Sequence, residues 1–172
     1  MTSLLLSVLA RMHRTKTPKE FAAVHPNCWL VWEPGVWKPP SKNGETLATV
    51  SVPTPPPAAG EALALALTPR TGQPGQVTLG RGASCDIEIN DATLSQLHLL
   101  FMEASPNVWT VRDAGSRNGS WVDRMPLPKG VPMRLENGAR IQAAQVCLTF
   151  YDAAGLFERL RSLGATPPRL QI

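Results

Sequence analysis

Between Gly80 and Ser120 three polar clusters interrupt short apolar runs, and this spacing leaves little room for a long helix. The clusters are Gly80-Arg81-Gly82-Ala83-Ser84-Cys85-Asp86, Leu94-Ser95-Gln96-Leu97-His98 and Asp113-Ala114-Gly115-Ser116-Arg117-Asn118-Gly119-Ser120. Ile87 and Ile89 alternate with polar neighbours, Leu99 to Met102 is apolar throughout, and Val108 to Val111 is rich in β-branched and aromatic types. Short strands broken by Gly, Ser, Asn and Asp predict an antiparallel sheet with polar loops gathered at its ends.

The same pattern continues to the C-terminus. Leu63, Leu65 and Leu67 alternate with alanines, and Pro69 cuts the run short, so a strand is expected although Ala and Leu also favour helix. Val77 and Leu79 make the strand that delivers Gly80-Arg81. Val131, Met133 and Leu135 alternate with other residues, Asn137-Gly138 signals a tight hairpin turn, and Ile141, Val146, Leu148 and Phe150 supply the last inward faces. Many short strands joined by tight turns predict a β-sandwich over residues 61–152. Leu156 to Leu163 reads as a short closing helix stopped by Gly164, within a C-terminal helix and tail at 153–172.

Ahead of the sandwich the chain reads differently. Leu5, Val8, Leu9 and Met12 recur at helical spacing, predicting an amphipathic helix over residues 3–14 in a helical N-terminal extension at 1–26. It would dock on its own domain or on a second copy; alone it is short for a membrane surface. Thr17-Pro18-Lys19-Glu20 carries the parts of a capping box, so a second helix runs from Pro18 to about Val24, ended by His25-Pro26. Residues 27–60 hold Trp29, Trp32 and Trp37 and then a Pro-rich linker. Glu33-Pro34-Gly35-Val36 fits a type II turn, which would set Trp32 and Trp37 face to face in a small hairpin. These tryptophans either pack on the body of the chain or form a docking patch for another protein or a second copy, a homodimer. Pro53, Pro55, Pro56 and Pro57 favour an extended spacer. Thr15, Thr17, Thr46, Thr49 and Thr54 are candidate phosphoacceptors.

Charge narrows the partners. The 172 residues carry a net charge of +4, but residues 61–172 hold eleven Lys+Arg against ten Asp+Glu. A near-neutral domain with no basic run argues against nucleic acid. The three cysteines, Cys28, Cys85 and Cys147, are far apart, with no Cys-x-x-Cys, which fits buried thiols in a reducing compartment. No apolar run approaches the roughly 20 residues that span a bilayer, and the basic residues near Leu4 to Ala10 follow rather than precede it, the reverse of a signal peptide. A cytoplasmic protein with no membrane partner is expected.

Gly80-Arg81, Ser95-x-x-His98 and Asn118-Gly119, supported by Cys85-Asp86-Ile87 and Asp113-x-Gly115-Ser116, resemble the forkhead-associated (FHA) domain family over roughly Ala62 to Asp152. The resemblance implies an all-β, FHA/SMAD-like antiparallel sandwich that binds phosphothreonine peptides. It implies a non-catalytic module in Ser/Thr kinase signalling, its partner a Thr-phosphorylated protein, either a kinase or a kinase substrate. Phosphothreonine brings about −1.5 to −2 charges and three acceptor oxygens. Arg81 would grip the phosphate with its planar fork. Ser95 would add its hydroxyl and backbone N–H, and Asn118 would clamp the peptide backbone with its amide. Arg117 would add a second cation. Gln96 would join the phosphopeptide-binding residues with a hydrogen bond but no charge, standing where a basic residue or Asn is frequent, and Ser120 stands where Thr is usual. Gly80, His98 and Gly119 are read as structural support. A Ser95-His98 catalytic pair is disfavoured, because no carboxylate or nucleophile elbow accompanies it. No catalytic residue, metal site or cofactor is expected. The alternative function is a phosphate-independent interaction or assembly module acting through the Trp-rich segment.

Overall fold

A computed structural model describes residues 3–35, 61–70 and 73–164. Trp37, the proline-rich linker with Thr46, Thr49 and Thr54, and the tail beyond Gly164 lie outside the described residues. In chain order the elements are β1 (Ser3–Leu5), α1 (Leu6–Met12), α2 (Pro18–Val24), β2 (Trp29–Glu33), β3 (Leu63–Ala66), β4 (Gln76–Gly80), β5 (Ile87–Glu88) and β6 (Leu99–Ser105). There follow β7 (Val108–Asp113), β8 (Ser120–Val122), β9 (Met125–Pro126), β10 (Met133–Arg134), β11 (Arg140–Ala143), β12 (Val146–Tyr151) and α3 (Ala153–Gly164).

The strands form two sheets. One has the order β1-β3-β2-β12-β11-β8-β9, the other β10-β7-β6-β4-β5. Pairing is antiparallel except between β4 and β5, which run parallel. The chain is a mostly β sandwich with short helices. Between the sheets Leu79, Leu99, Phe101 and Val111 meet Leu30, Leu65, Ile141 and Leu148, all buried. Each such side chain contributes about 1.5–3 kcal/mol relative to leaving it exposed.

A second core lies on the outer face of the seven-stranded sheet. Leu6 and Leu9 of α1, Phe21 of α2 and Leu156, Phe157 and Leu160 of α3 pack with Trp29, Val31, Ala64 and Ala66. Alternation explains it: Leu30 faces the sandwich while its neighbours Trp29 and Val31 face the helices, so β2 is apolar on both sides. The alanines of β3, opposite its inward leucines, let the helices approach.

The N-terminal segment departs from expectation. Residues 3–14 do not form one helix: Ser3 to Leu5 pair in register with Leu65 to Leu63, and α1 begins only at Leu6. Backbone pairing with β3 overrides a helical periodicity that rested on few residues. Of the two readings of the tryptophan segment, Trp29 and Trp32 follow the one in which they pack on the body of the chain. Trp29 is 2% exposed and Trp32 packs partly buried against the sandwich core, because β2 lies between β3 and β12. Gly35 has the positive φ, +103°, that the third position of a type II turn requires. The capping box forms as read: the Thr17 hydroxyl accepts from Glu20 N and the Glu20 carboxylate accepts from Thr17 N at 2.7 Å.

Asn137-Gly138 is not a hairpin turn. β10 belongs to one sheet and β11 to the other, so this turn is a corner between layers. Leu135 N still bonds Trp109 O alongside β7, while Gly138 N already bonds Phe150 O of β12. The tight hairpin lies later, between β11 and β12, turned by Ala144 and Gln145 with Ala144 at φ +51°.

Candidate functional site

Three loops meet at one end of the sandwich. The first follows β4 and carries Arg81; the second precedes β6 and carries Ser95 and Gln96; the third joins β7 to β8 and carries Arg117 and Asn118. Their backbones are tied directly. Arg81 N donates to Ser95 O and Gly82 N to Gln96 O, each at 3.0 Å. Arg117 N donates to the Ser95 hydroxyl at 2.9 Å, and Asn118 Nδ2 donates to Thr93 O at 2.7 Å. Arg81, Gln96, Arg117 and Asn118 are exposed, and Ser95 is half-buried.

The first two loops approach so closely that a side chain at Gly80 is excluded. A Cβ there would overlap the carbonyl oxygen of Gln96 and stand 2.9 Å from that of Ser95. Gly80 thus buys the tight crossing that sets Arg81 beside Ser95. Gln96 itself has its carbonyl taken by Gly82 N and by the Cys85 thiol at 3.1 Å.

His98 is fully buried and joins the second loop to the third. Its Nδ1 accepts the Ser95 N–H at 3.1 Å, and its Nε2 lies 3.1 Å from Gly119 O, so Nε2 carries the proton and donates it. Burial above all holds this imidazole below its ordinary value of 6.5, against the opposing pull of the Gly119 carbonyl and Asp113. One expectation is corrected here: the Ser95 N–H faces His98, not outward, so of its two donors only the hydroxyl is presented. That hydroxyl accepts from Arg117 N, which leaves its own hydrogen to donate.

Asp113 fixes the third loop from below. It is fully buried, and its Oδ1 accepts the N–H groups of Gly115 at 2.9 Å and Ser116 at 2.6 Å. Its Oδ2 accepts the hydroxyls of Ser116 and Ser120, each at 2.6 Å. Ser116 Oγ then accepts Gly119 N at 3.0 Å, so one carboxylate organises the loop from Gly115 to Ser120. Burial pushes this carboxyl up, but the hydroxyls of Ser116 and Ser120 and the two N–H groups outweigh it and hold it below 3.8. Asp86 braces the first loop in the same way, accepting Arg70 N, Thr78 N and the Thr78 hydroxyl.

Thr93 is the participant that motif spacing does not reveal. Its carbonyl aims the Asn118 amide, and its hydroxyl donates to Asp91 at 2.5 Å. With one Nδ2 hydrogen committed to Thr93, Asn118 keeps Oδ1 to accept and its other Nδ2 hydrogen to donate to a ligand backbone. The rim therefore presents two guanidinium groups, the Ser95 hydroxyl hydrogen, the exposed Gln96 side chain, and an oxygen and a hydrogen of the Asn118 amide.

The FHA domain family model matches residues 77–144. The chain carries an FHA domain. The glycogen accumulation regulator GarA of Mycobacterium tuberculosis is 37% identical over 71 residues, 41% of this chain and 41% of that protein. The match thus spans about two fifths of the length of this curated relative. Among solved structures, the FHA domain of the CT664 protein from Chlamydia trachomatis is 16% identical, with a TM-score of 0.49 over 73% of this chain and 97% of that one. Mycobacterium tuberculosis EmbR in complex with a low-affinity phosphopeptide is 23% identical, with a TM-score of 0.44 over 55% of this chain and 22% of that one. The part of the FHA domain matched by the family model starts at Val77, so β1, α1, α2, β2 and β3 lie ahead of it. The ladder of the matched part nevertheless reaches them through β12, which lies just past it and pairs with β11 on one side and β2 on the other.

Proposed function

We propose that the chain is a non-catalytic module that binds phosphothreonine peptides in Ser/Thr kinase signalling. The observation that carries this reading is the tying of three loops through Arg81 N, Arg117 N and Asn118 Nδ2 to the Thr93–Ser95 segment. Those bonds hold Arg81, Ser95 and Asn118 on one rim without spending the groups a phosphopeptide needs. The Arg81 guanidinium meets two phosphate oxygens, the Ser95 hydroxyl donates to a third, and Arg117 adds charge at the edge. Asn118 Oδ1 accepts a peptide N–H and so fixes the strand that carries the phosphothreonine. The partner is a Thr-phosphorylated protein, a kinase or its substrate.

No part of this needs a cofactor or a nucleophile. Ser95 and His98 do not make a catalytic pair, because His98 contacts the Ser95 N–H rather than its Oγ. The alternative module, acting through tryptophans without phosphate, is disfavoured by the placement of Trp29 and Trp32 within the sheet. A degenerate peptide array, probed with the wild type and with Arg81→Ala, tests the proposal. Phosphothreonine spots that lose signal in the variant support it, and equal signal on unphosphorylated spots rejects it.

A further inference from the structure

The elbow between α1 and α2 carries a surface that the phosphothreonine site does not use. The two helices meet at their C-terminal ends, where His13 and His25 bring their Nε2 atoms to 3.0 Å and His25 packs on Trp29. Immediately before each histidine stands an exposed apolar residue: Met12 is 60% exposed and Val24 55%. Around them Arg11, Arg14 and Lys19 are exposed and Lys16 is half-exposed. The described ion pairs are Arg134–Glu136 and Arg159–Glu33, so none of these four cations is paired among the described residues. The one acid in this stretch, Glu20, is engaged by the N–H and hydroxyl of Thr17.

We propose that this elbow docks on an anionic lipid surface, its cations against the headgroups and Met12 and Val24 reaching into the interface. The region between residues 11 and 25 holds four Lys+Arg against one Asp+Glu, whereas residues 61–172 are nearly balanced. Clustered cations beside apolar tips are the footprint of a peripheral contact with an acidic leaflet. Residues 3–14 alone are too short to supply it; folding adds Lys19 and Val24 from α2. A bilayer fits better than an acidic peptide, because a peptide needs a groove. Depressions of about 450 and about 140 Å³ border the elbow at Pro18 and Pro26, but Arg11, Met12, Arg14, Lys16, Lys19 and Val24 line neither. The contact is peripheral, since no described helix is long and apolar enough to cross a membrane.

The topology leaves the rim free while the elbow is docked. Trp29, on which His25 rests, pairs with Tyr151 at the far end of β12. The near end of β12 follows Ala144, whose N–H bonds Gly119 O at the rim. Elbow and rim therefore stand at opposite ends of the seven-stranded sheet.

Co-sedimentation of the full chain tests this, using phosphatidylcholine vesicles with and without about 30 mol % phosphatidylserine. The chain should pellet with the acidic vesicles only, and less as salt rises. Arg14→Glu with Lys16→Glu should lower that binding roughly ten-fold or more, and Arg14→Gln with Lys16→Gln should also lower it. Met12→Ser with Val24→Ser should weaken it at every salt concentration. All three pairs are exposed or half-exposed, and an unchanged thermal melt shows that they fold. Arg81→Ala should pellet as the wild type does, which separates this site from the phosphothreonine rim. No pelleting with acidic vesicles, or pelleting unaffected by the charge reversals, would overturn the proposal. Capture of poly-glutamate without vesicle binding would also overturn it and assign the elbow to an acidic protein.

Discussion

The Ser95 backbone N–H and the Nδ1 of His98 are 3.1 Å apart, and this bond joins the hydroxyl-bearing loop to the start of β6 inside the protein. The other ring nitrogen holds Gly119, next to the Asn118 amide, so one buried imidazole spaces two of the three binding loops. His98→Ala leaves the Ser95 N–H without its partner and Gly119 O with the Ala144 N–H alone. The loss should be about 1–3 kcal/mol of stability, read as a lower urea midpoint at unchanged slope. Phosphopeptide affinity should fall with it.

That imidazole also gives the protein an acid-side weakness. His13, His25 and His98 all sit below the ordinary 6.5, burial first in each, with His25 and Lys16 adding to His13 and Lys16 to His25. A group whose value is lower folded than unfolded binds fewer protons in the folded state. Its stability contribution is complete above about 6.5 and is lost as pH falls below that value. Asp113 has the same sign in a lower window, its contribution present above 3.8 and lost below. Urea midpoints should therefore be flat between pH ~7 and ~8, decline as pH falls below ~6.5, and decline again in stronger acid. A midpoint that rises on acidification from neutrality would contradict this.

Asp113→Asn should test the carboxylate cradle. The amide keeps the shape but replaces one charged acceptor with a donor facing the Ser116 and Ser120 hydroxyls or the loop N–H groups. A loss of about 2–4 kcal/mol is expected, with weaker phosphopeptide binding from a looser Arg117-Asn118 segment. Melts and titrations of the same sample separate the two effects.

The β8–β9 hairpin offers a change in the opposite direction. Asp123 and Arg124 make its two-residue turn with φ of +48° and +69°, a conformation suited to Asn-Gly or Asp-Gly. Arg124→Gly removes the Cβ strain at an exposed position and should stabilise by about 0.5–1 kcal/mol. A higher melting temperature with unaltered phosphopeptide affinity is the expected result.

The site motifs were legible because polar loop residues report backbone demands directly. Gly80 is fixed by a carbonyl where its Cβ would be, and the Ser95-x-x-His98 spacing lets the imidazole reach the Ser95 N–H. The Thr17–Glu20 capping box was equally readable, since its chemistry is local. The placement of β1 and β2 was not. Trp29 to Trp32 is apolar on both faces, because helices cover one and the opposing sheet the other, so no alternation marks it as a central strand. Asn137-Gly138 misled for a related reason: a dipeptide specifies the turn but not whether the chain returns to its own sheet or crosses to the other. Thr93 contributes a carbonyl, which its side chain does not announce.

The central claim is that Arg81, Ser95 and Asn118 act together on a phosphorylated threonine. Isothermal calorimetry with one peptide in its threonine and phosphothreonine forms, against wild type and Arg81→Ala, tests it most directly. The account predicts measurable binding of the phosphorylated form alone and a loss of about 2–5 kcal/mol in the variant, as for removing one partner of a charge pair. Equal affinity for the two peptide forms, or an Arg81→Ala variant that binds as the wild type does, would contradict it.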